Sequence, residues 1–232
     1  MSVKVREIFS SIQGEGIYVG RRQIFVRFAK CNLDCDYCDT AHKRDAKFCM
    51  VAGKKKFLKT ADDIVNEIKN LDTKDVFSIS LTGGEPLIYT SLIKQIHKKT
   101  GIPLYLETNS TLPEKADEIK NLITYAACGL KLNYPKFYND SLKTIEILNH
   151  CLKSGNLFVK VVITKNVDVG QIEELTGDLK NIGDLPLVLQ PQTGIKWDNT
   201  YKNTLLTMSE TAGNFLKEVR IIPQTHKFLG FE

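Results

Sequence analysis

Short runs rich in β-branched and aromatic residues alternate with longer helical patterns along this 232-residue chain. Such alternation is typical of parallel strands joined by crossover helices. It fits an open doubly wound sheet or a barrel, and periodicity alone does not separate the two. The predicted strands are Ile24–Ala29, Val76–Leu81, Pro103–Glu107, Ala126–Leu132, Leu157–Thr164, Leu185–Gln190 and Val219–Ile222, with a shorter extended segment at Val3–Phe9.

The helical patterns lie between these strands, and several have recognisable starts. Thr60-Ala61-Asp62-Asp63 combines a capping threonine with an acid three residues later, and apolar residues then recur on one helix face. The other helices are predicted from Pro86, from Pro113 to about Ile123, from a cap at Ser141, over Val169–Ile182 and over about Thr204–Phe215.

Length and composition favour a single domain over residues 1–232, since 42% of the residues are hydrophobic and 25% are charged. A net charge of +5 suits an anionic small molecule. No basic run is dense enough to predict nucleic-acid binding, and Lys54-Lys55-Lys56 is interpreted as a solvated loop. The charged N-terminus and the lack of a long apolar stretch predict no membrane span and a cytoplasmic location.

Unusual residues follow several of the predicted strands. Cys31, Gly83-Gly84-Glu85, Glu107-Thr108-Asn109 and Gln190-Pro191 each come at the carboxyl end of a strand. In open sheets and in barrels of parallel strands, reactive residues gather at those ends. The sequence therefore predicts one functional site on one face of the fold.

Three cysteines, Cys31, Cys35 and Cys38, stand close together without a nearby fourth. A structural zinc site needs four protein ligands, and an iron–sulfur cube needs one ligand for each iron. A cube held by three thiolates therefore leaves one iron open for chemistry. Zinc stays an alternative if Cys49 or His42 supplies a fourth ligand.

The remaining cysteines have no spacing typical of a metal site. Six cysteines in a chain of this size do not indicate a disulfide scaffold, which belongs to small secreted domains. Cys49, Cys128 and Cys151 are therefore interpreted as small buried apolar residues.

A glycine-rich segment, Thr82-Gly83-Gly84-Glu85-Pro86, follows an apolar strand. Its two glycines allow backbone and ligand to approach closely. Glu85 offers an acceptor for an ammonium group, and Pro86 can open the next helix. Taken by itself, the segment is equally typical of a tight strand-to-helix turn.

The cysteine spacing followed by this glycine segment resembles the radical S-adenosylmethionine (SAM) superfamily. The resemblance implies an α/β fold, a partial (β/α)6 barrel of the TIM type, and a 4Fe–4S cluster held by Cys31, Cys35 and Cys38. It also implies that SAM binds the open iron through its amino and carboxylate groups and is cleaved to a 5′-deoxyadenosyl radical, which abstracts hydrogen from the substrate. Such a radical needs an enclosed, dry site.

Further segments narrow the resemblance. Glu7–Gly16 lies before the cysteines, and Gly20 and Phe25-Val26-Arg27 stand between that segment and Cys31. Pro223–Gly230 lies near the C-terminus. Together they resemble the 7-carboxy-7-deazaguanine synthase family. Its reaction converts 6-carboxy-5,6,7,8-tetrahydropterin to 7-carboxy-7-deazaguanine with loss of ammonia, on the route to the tRNA bases queuosine and archaeosine. The family implies a homodimer and an electron donor such as flavodoxin or ferredoxin, without direct contact to nucleic acid or membrane.

The resemblance implies that the N-terminal extension, residues 1–22, and the tail, residues 223–232, contribute to the substrate site. Gln13 and Glu15 suit the amide-like edge of a pterin. Arg27 suits a carboxylate, because its planar guanidinium binds bidentately. The implied substrate contacts are Ile12, Gln13, Gly14, Glu15, Gly16, Arg27 and Thr82, with Pro223 as the candidate in the tail.

Matched in the same way, Thr40 is implied as a ligand of Mg²⁺, which would bridge to substrate oxygens. Lys30 departs from the family, which commonly has glycine before the first cysteine. The implied SAM contacts are Tyr37, Cys38, Asp39, Gly83, Gly84, Glu85, Tyr134, Pro135, Lys136, Gln190, Pro191, Gln192 and Thr193.

Two alternatives use the same cysteines. One is another radical SAM enzyme, such as an activating enzyme that places a glycyl radical on a partner protein. Gln13–Gly16 and the tail argue against it. The other is a non-catalytic zinc-binding module, which would hold one zinc per chain without iron or sulfide.

Replacing Cys35 with alanine is expected to abolish the brown absorbance of anaerobically reconstituted protein, its content of about four irons and its release of 5′-deoxyadenosine, because the cube needs all three thiolates. Iron, sulfide and zinc analysis together with chromatography measure these changes. A Cys35→Ala protein that kept both the cluster absorbance and deoxyadenosine release would contradict the radical interpretation. One zinc per unaltered chain, without iron, would support the zinc-binding module.

Overall fold

The computed structural model describes residues 5–38 and 48–231, and its strands form one sheet. In chain order the strands are β1 Val5–Ile12, β2 Arg22–Phe28, β3 Cys49–Val51, β4 Lys54–Lys56, β5 Ser78–Gly83, β6 Leu104–Thr108, β7 Tyr125–Leu130, β8 Leu157–Ile163, β9 Leu187–Pro191 and β10 Val219–Ile221. Their order across the sheet is β10-β9-β8-β7-β6-β5-β2-β1-β3-β4.

The strands from β10 to β2 in this order all run parallel. β1 pairs antiparallel with β2, and the hairpin of β3 and β4 extends that edge. The sheet formed by the described strands is not closed, since β10 and β4 stand at its two ends. This open, mostly parallel sheet confirms the α/β fold class and is consistent with a partial (β/α)6 barrel.

Crossover helices connect the parallel strands, and none of the described helices is long and apolar enough to cross a membrane. The predicted capping box is confirmed: the Thr60 hydroxyl accepts from the N–H of Asp63 at 3.1 Å, and the Asp63 carboxylate accepts from the N–H of Thr60 at 2.9 Å. The helices are α1 Ala61–Leu71, α2 Thr90–Thr100, α3 Pro113–Asp117, α4 Tyr138–Cys151, α5 Val169–Ile182, α6 Asn199–Gly213 and α7 Thr225–Leu229.

Two predicted helix starts are wrong. Ser141 does not cap α4, which begins three residues earlier. Its hydroxyl instead donates to the carbonyl of Phe137 at 2.9 Å from within the first turn. α6 begins before the predicted start, because the carboxylate of Asp198 accepts from the N–H of Tyr201 at 2.9 Å and caps the helix there.

The predicted helix from Pro113 is interrupted. α3 ends at Asp117, and a separate 3-10 turn, Lys120–Leu122, follows it before β7. Pro86 opens a second 3-10 turn, Pro86–Tyr89, which leads directly into α2. Proline suits both starts because it needs no N–H there.

The lysine run is a strand, not a loop. β4 pairs with β3 as an antiparallel hairpin that turns at Ala52 and Gly53, whose φ angles are 45° and 79°. Cys49 and Cys128 are buried, as predicted. Cys151 is exposed at the last residue of α4, so its interpretation as a buried residue is wrong.

Strand residues alternate between two faces of the sheet. One face and the helices share the large apolar core. The inner face carries a small apolar cluster made of Tyr105, Ala127, Phe158 and Val188. Two positions further along the same strands, the inner face lines a cavity with Glu107, Gly129, Lys160 and Gln190. The inner face is therefore apolar at one end and polar where the strands finish.

Replacing Thr60 with alanine removes the oxygen that accepts from the N–H of Asp63, and we expect the free energy of unfolding to fall by about 1 kcal/mol. Urea unfolding followed by circular dichroism measures this loss. Ser91→Ala, at an exposed position in the first turn of α2, is the control and should change that free energy by less than about 0.5 kcal/mol. Equal losses in both variants would argue against a stabilising cap.

Candidate active site

A cavity of about 340 Å³ opens at the carboxyl ends of the parallel strands. The predicted site residues that line it are Ile12, Gln13, Gly14, Glu15, Arg27, Cys31, Cys35, Tyr37, Cys38, Thr82, Gly83, Gly84, Gln190, Gln192 and Thr193. The predicted residues that the structure describes elsewhere are Gly16, Glu85, Tyr134, Pro135, Lys136, Pro191 and Pro223. Asp39 and Thr40 lie outside the described residues.

The cysteine loop follows β2 and is held by the glycine segment at the end of β5. The N–H of Gly84 donates to the carbonyl of Phe28 at 2.9 Å, and the N–H of Glu85 donates to the carbonyl of Lys30 at 2.7 Å. A β-carbon on Gly84 would lie 2.0 Å from the Lys30 oxygen, so this approach requires glycine. The Lys30 side chain is exposed, and its backbone carbonyl makes this contact.

The Glu85 side chain is fully buried and bonded within the protein. Its Oε1 accepts from the N–H of Leu87 at 3.0 Å and from the Thr108 hydroxyl at 2.8 Å. Its Oε2 accepts from the N–H of Asn109 at 2.7 Å. Burial raises the pKa of Glu85 to about 7, against the lowering effect of these hydrogen bonds. Glu85 does not line the cavity, and the observed contacts make it a brace between β5 and β6.

Glu15 belongs to a charged network. It forms an ion pair with Lys160 and accepts from Nε2 of Gln224 at 2.5 Å, and the Thr193 hydroxyl donates to the other end of that glutamine amide. Burial raises the pKa of Glu15, but the Lys160 charge and the hydrogen bonds from Lys160 and Gln224 outweigh it and lower the pKa from 4.5 to about 2. Glu15 therefore carries a negative charge at neutral pH.

Gln13 is 2% exposed, and its amide is bonded to neighbouring side chains and backbone. Its Nε2 donates to Oε1 of Gln23 at 3.0 Å and to Oε1 of Glu107 at 3.1 Å, while its Oε1 accepts from the N–H of Glu15 at 2.9 Å. Both N–H donors of this amide are used, so a ligand that accepts a hydrogen bond from Gln13 would replace one of these bonds. Glu107 lines the cavity beside it and also accepts from the Ser80 hydroxyl at 2.7 Å.

Arg27 lies on β2 with its guanidinium at the cavity. Its Nη1 donates to Oε2 of Glu7 at 2.8 Å, and its guanidinium carbon lies 4.7 Å from the ring centroid of Phe9. The Arg27 and Glu7 side chains are 19% and 14% exposed, so this is a largely buried ion pair. A guanidinium has five N–H donors, which allows it to bind a second carboxylate beside Glu7.

The C-terminal tail crosses the N-terminal segment at the cavity. The N–H of Thr225 donates to the carbonyl of Gly14 at 2.8 Å. A β-carbon on Gly14 would lie 2.1 Å from Nδ1 of His226, so this imidazole packs on the glycine backbone. Gly16, at φ +67°, has the Phe158 ring at 2.1 Å from the position of a β-carbon. Both glycines therefore permit close packing that a side chain would prevent.

Of the other predicted SAM contacts, Tyr134 and Lys136 lie outside the cavity, whereas Gln190 lines it. The Tyr134 hydroxyl donates to the carbonyl of Asp34 in the cysteine loop at 2.6 Å, while Nζ of Lys136 lies 4.8 Å from the centroid of the Phe137 ring. Gln190 lines the cavity, is 4% exposed, and has an Oε1 without a hydrogen-bond partner among the described residues. A buried acceptor of this kind calls for a donor from a ligand.

A family model described as the radical SAM superfamily matches residues 25–175. Relatives named 7-carboxy-7-deazaguanine synthase match nearly the whole chain. The protein of Methanothermobacter thermautotrophicus is 39% identical over 99% of this chain and 98% of its own length. That of Methanocaldococcus jannaschii is 37% identical over 97% and 99%, and that of Geobacter sulfurreducens is 32% identical over 98% and 97%.

The chain belongs to the 7-carboxy-7-deazaguanine synthase family of radical SAM enzymes. Solved structures agree with this fold. The crystal structure of QueE from Escherichia coli has a TM-score of 0.65 at 23% identity, over 97% of this chain and 95% of that one. Archaeal TYW1 has a TM-score of 0.52 at 13% identity, over 84% and 72%.

Membership of the radical SAM superfamily implies a 4Fe–4S cluster and SAM, and the described residues fit both groups. Cys31, Cys35 and Cys38 line the same cavity as Gln190, whose acceptor lacks a protein donor in the described structure. Thiolates are the usual ligands of iron–sulfur clusters. The backbone at Gly84 lets the cysteine loop and the glycine segment meet at this end of the cavity.

The zinc alternative gains no support from the described residues. Cys49 does not line the cavity, and burial raises the pKa of its thiol to about 12, with the charges of Glu7 and Glu67 adding to the effect. His42 lies outside the described residues.

Sequence reasoning missed two lysines of the cavity, Lys131 and Lys160. Burial lowers the pKa of Lys131 and the charge of Lys160 acts in the same direction, while the cysteine thiols and Glu15 act against them. Lys131 Nζ lies 5.5 Å from the centroid of the Tyr37 ring. The sequence does contain a signal for them, because each is a single lysine inside or directly after an apolar strand. Burying a lysine there costs free energy unless an opposite charge or a ligand contacts it.

Replacing Lys160 with methionine is expected to lower the free energy of unfolding by about 3 kcal/mol at pH 7, because the buried Glu15 carboxylate loses its cation. Glu15 has its pKa lowered on folding, so its contribution is present above pH 4.5 and is lost as pH falls towards about 2. The difference between the two proteins should therefore shrink over that range. Urea unfolding at several pH values measures it.

The exposed pair Lys99–Asp62 supplies the control. Lys99→Met should lower the free energy of unfolding by less than about 1 kcal/mol, since an exposed pair contributes little. A loss in Lys160→Met that did not change between pH 7 and pH 3 would contradict the assigned ionisation of Glu15.

Proposed function

We propose that this protein is a radical SAM lyase that converts 6-carboxy-5,6,7,8-tetrahydropterin to 7-carboxy-7-deazaguanine with release of ammonia. One observation carries the proposal: a single cavity joins the three cysteines to Arg27 and to the Gln13–Glu15 segment. The relatives that bear this name match almost the whole chain, which supports the same assignment.

The cluster end of the cavity is assembled by main-chain contacts. When bound, the cluster and SAM supply a 5′-deoxyadenosyl radical that removes a hydrogen atom from the substrate. Gly84 brings the glycine segment against the carbonyl of Lys30, next to Cys31. Leu33, which is 5% exposed, lines the cavity and limits water near the cysteines.

The substrate end holds and orients a charged planar molecule. Arg27 binds the substrate carboxylate with guanidinium donors beside those that meet Glu7. Glu107 accepts from the amino and ring N–H groups of the pterin, in place of its bond from Gln13. Lys160 keeps Glu15 ionised, so this carboxylate stays an acceptor throughout the neutral pH range.

Both ends of the chain contribute to this site in the proposal. Residues 1–22 supply Gly14, and residues 223–232 supply His226, which packs on it in the cavity wall. Residues 1–232 then act as one catalytic domain. Limited proteolysis with and without substrate tests this assignment, since ligand should protect the tail from cleavage.

We propose further, on the family resemblance, that Thr40 binds Mg²⁺ and that Asp39 contacts SAM. The same resemblance supports a homodimer, a flavodoxin or ferredoxin as reductant, and a product that enters queuosine or archaeosine synthesis in the cytoplasm. Metal titration of Thr40→Ala tests the magnesium site. Sedimentation equilibrium tests the dimer.

Anaerobic incubation with the carboxytetrahydropterin, SAM and dithionite is the test of the reaction, and we expect a deazaguanine product and ammonia in equal amounts. Liquid chromatography with mass spectrometry measures both. Release of deoxyadenosine without a deazaguanine would contradict the proposed substrate and favour another radical SAM reaction.

Arg27→Met, assayed with the substrate and with its analogue lacking the carboxylate, tests the assigned contact. The variant should bind the carboxylated pterin at least about tenfold more weakly than the native protein, because a charged hydrogen bond contributes about 1.5–3 kcal/mol. It should bind the analogue about equally well. Isothermal titration with SAM present measures these affinities, and equal losses for both ligands would contradict the role of Arg27.

A further inference from the structure

The side chain of Asn109 lies against the first cysteine of the loop. Its Nδ2 is 3.7 Å from Sγ of Cys31 and donates its other hydrogen to Oδ1 of Asn32 at 2.9 Å. A primary amide has two N–H donors, and both therefore have partners here. Asn109 follows β6 directly and is 8% exposed.

The orientation of this amide is fixed by Thr111. The Oδ1 of Asn109 accepts from the N–H of Thr111 at 3.1 Å and from its hydroxyl at 2.7 Å. If the amide were turned over, its NH₂ group would face the two donors of Thr111. Its oxygen would then face two acceptors, the Cys31 sulfur and the Asn32 oxygen. The network therefore selects the orientation in which N–H points at sulfur.

The backbone of Asn109 is fixed as well. Its N–H donates to Oε2 of Glu85 at 2.7 Å, and Glu85 is fully buried. Ser110, the next residue, has φ +63° and is fully buried, which is a strained conformation for a residue other than glycine. Strain of this kind persists only where surrounding contacts determine the backbone.

We infer that Asn109 is a positioning residue that sets the electron affinity of the cluster through its N–H···S contact with Cys31. This rests on the proposed function, in which Cys31 binds iron. Reduction adds a negative charge to the cluster and its thiolates, and an N–H dipole aimed at a thiolate stabilises that charge. The N–H of Leu33 also lies 3.4 Å from this sulfur, but it belongs to the backbone, whereas the Asn109 donor can be removed by substitution.

Through this contact, Glu85 also affects the position of Cys31. The glutamate of the glycine segment holds Asn109, and Asn109 in turn holds Cys31, so the end of β6 is coupled to the first iron ligand. Asn109 takes no part in bond making. It acts by raising the reduction potential of the cluster, so that an external one-electron donor reduces the cluster more readily.

The test is a redox titration of reconstituted Asn109→Ala, Asn109→Asp and native protein, followed by the electron paramagnetic resonance signal of the reduced cluster. At one fixed potential, the ratio of reduced to oxidised cluster should fall about tenfold in Asn109→Ala, equivalent to about 59 mV for a one-electron couple. It should fall further in Asn109→Asp, where an oxygen of the same size faces the sulfur.

Asn32→Ala is the matched control. It removes the bonds that join Asn32 to Asn109 and to Thr111 but leaves the Asn109 donor at Cys31. Its ratio should stay within about twofold of the native value. A purely structural role for Asn109 predicts equal shifts in both alanine variants, or loss of stability with no shift, and either result would overturn the inference.

The titration separates this inference from the proposed function. Native protein that binds no iron would contradict the proposed function itself. Native protein that holds a cluster, with Asn109 variants whose ratio stays within about twofold of it, would overturn only the role of Asn109. If Asn109→Ala takes up no cluster, the isosteric Asn109→Asp decides by the same measure.

Discussion

The cysteine end of the cavity depends on the hydrogen bonds of the buried Glu85 carboxyl group. A buried carboxyl group costs free energy unless hydrogen-bond donors meet its oxygens, and here the N–H groups of Leu87 and Asn109 and the Thr108 hydroxyl do so. Gly84, one residue earlier, lies against the carbonyl of Lys30. The ends of β2, β5 and β6 are thereby held as one unit, and the cysteine loop begins from that unit.

The other end of the cavity depends on paired charges. Lys160 meets Glu15, and Arg27 meets Glu7, each pair largely shielded from solvent. Breaking such a pair leaves a buried charge without a partner, so the pairs preserve one arrangement of the site. A site that is already organised loses less free energy when it binds a charged substrate than one that has to rearrange.

The N-terminal segment around Gly14 and the C-terminal tail meet at this site, although they lie at opposite ends of the sequence. Thr225 bonds to Gly14 across 211 positions, through its N–H at 2.8 Å and its hydroxyl at 3.0 Å. The imidazole of His226 then occupies the space that any side chain at residue 14 would need. Both segments contribute residues to the cavity wall.

The sequence by itself determined the parallel α/β fold, the cap at Thr60 and the collection of unusual residues at strand ends, because hydrophobic period and local hydrogen bonds are properties of neighbouring residues. It did not determine the partners of those residues. That Glu85 braces Asn109, and that Lys160 charges Glu15, was decided by the register of distant strands. Only the tertiary structure brings these side chains together, since their contacts span tens to more than a hundred positions of the chain.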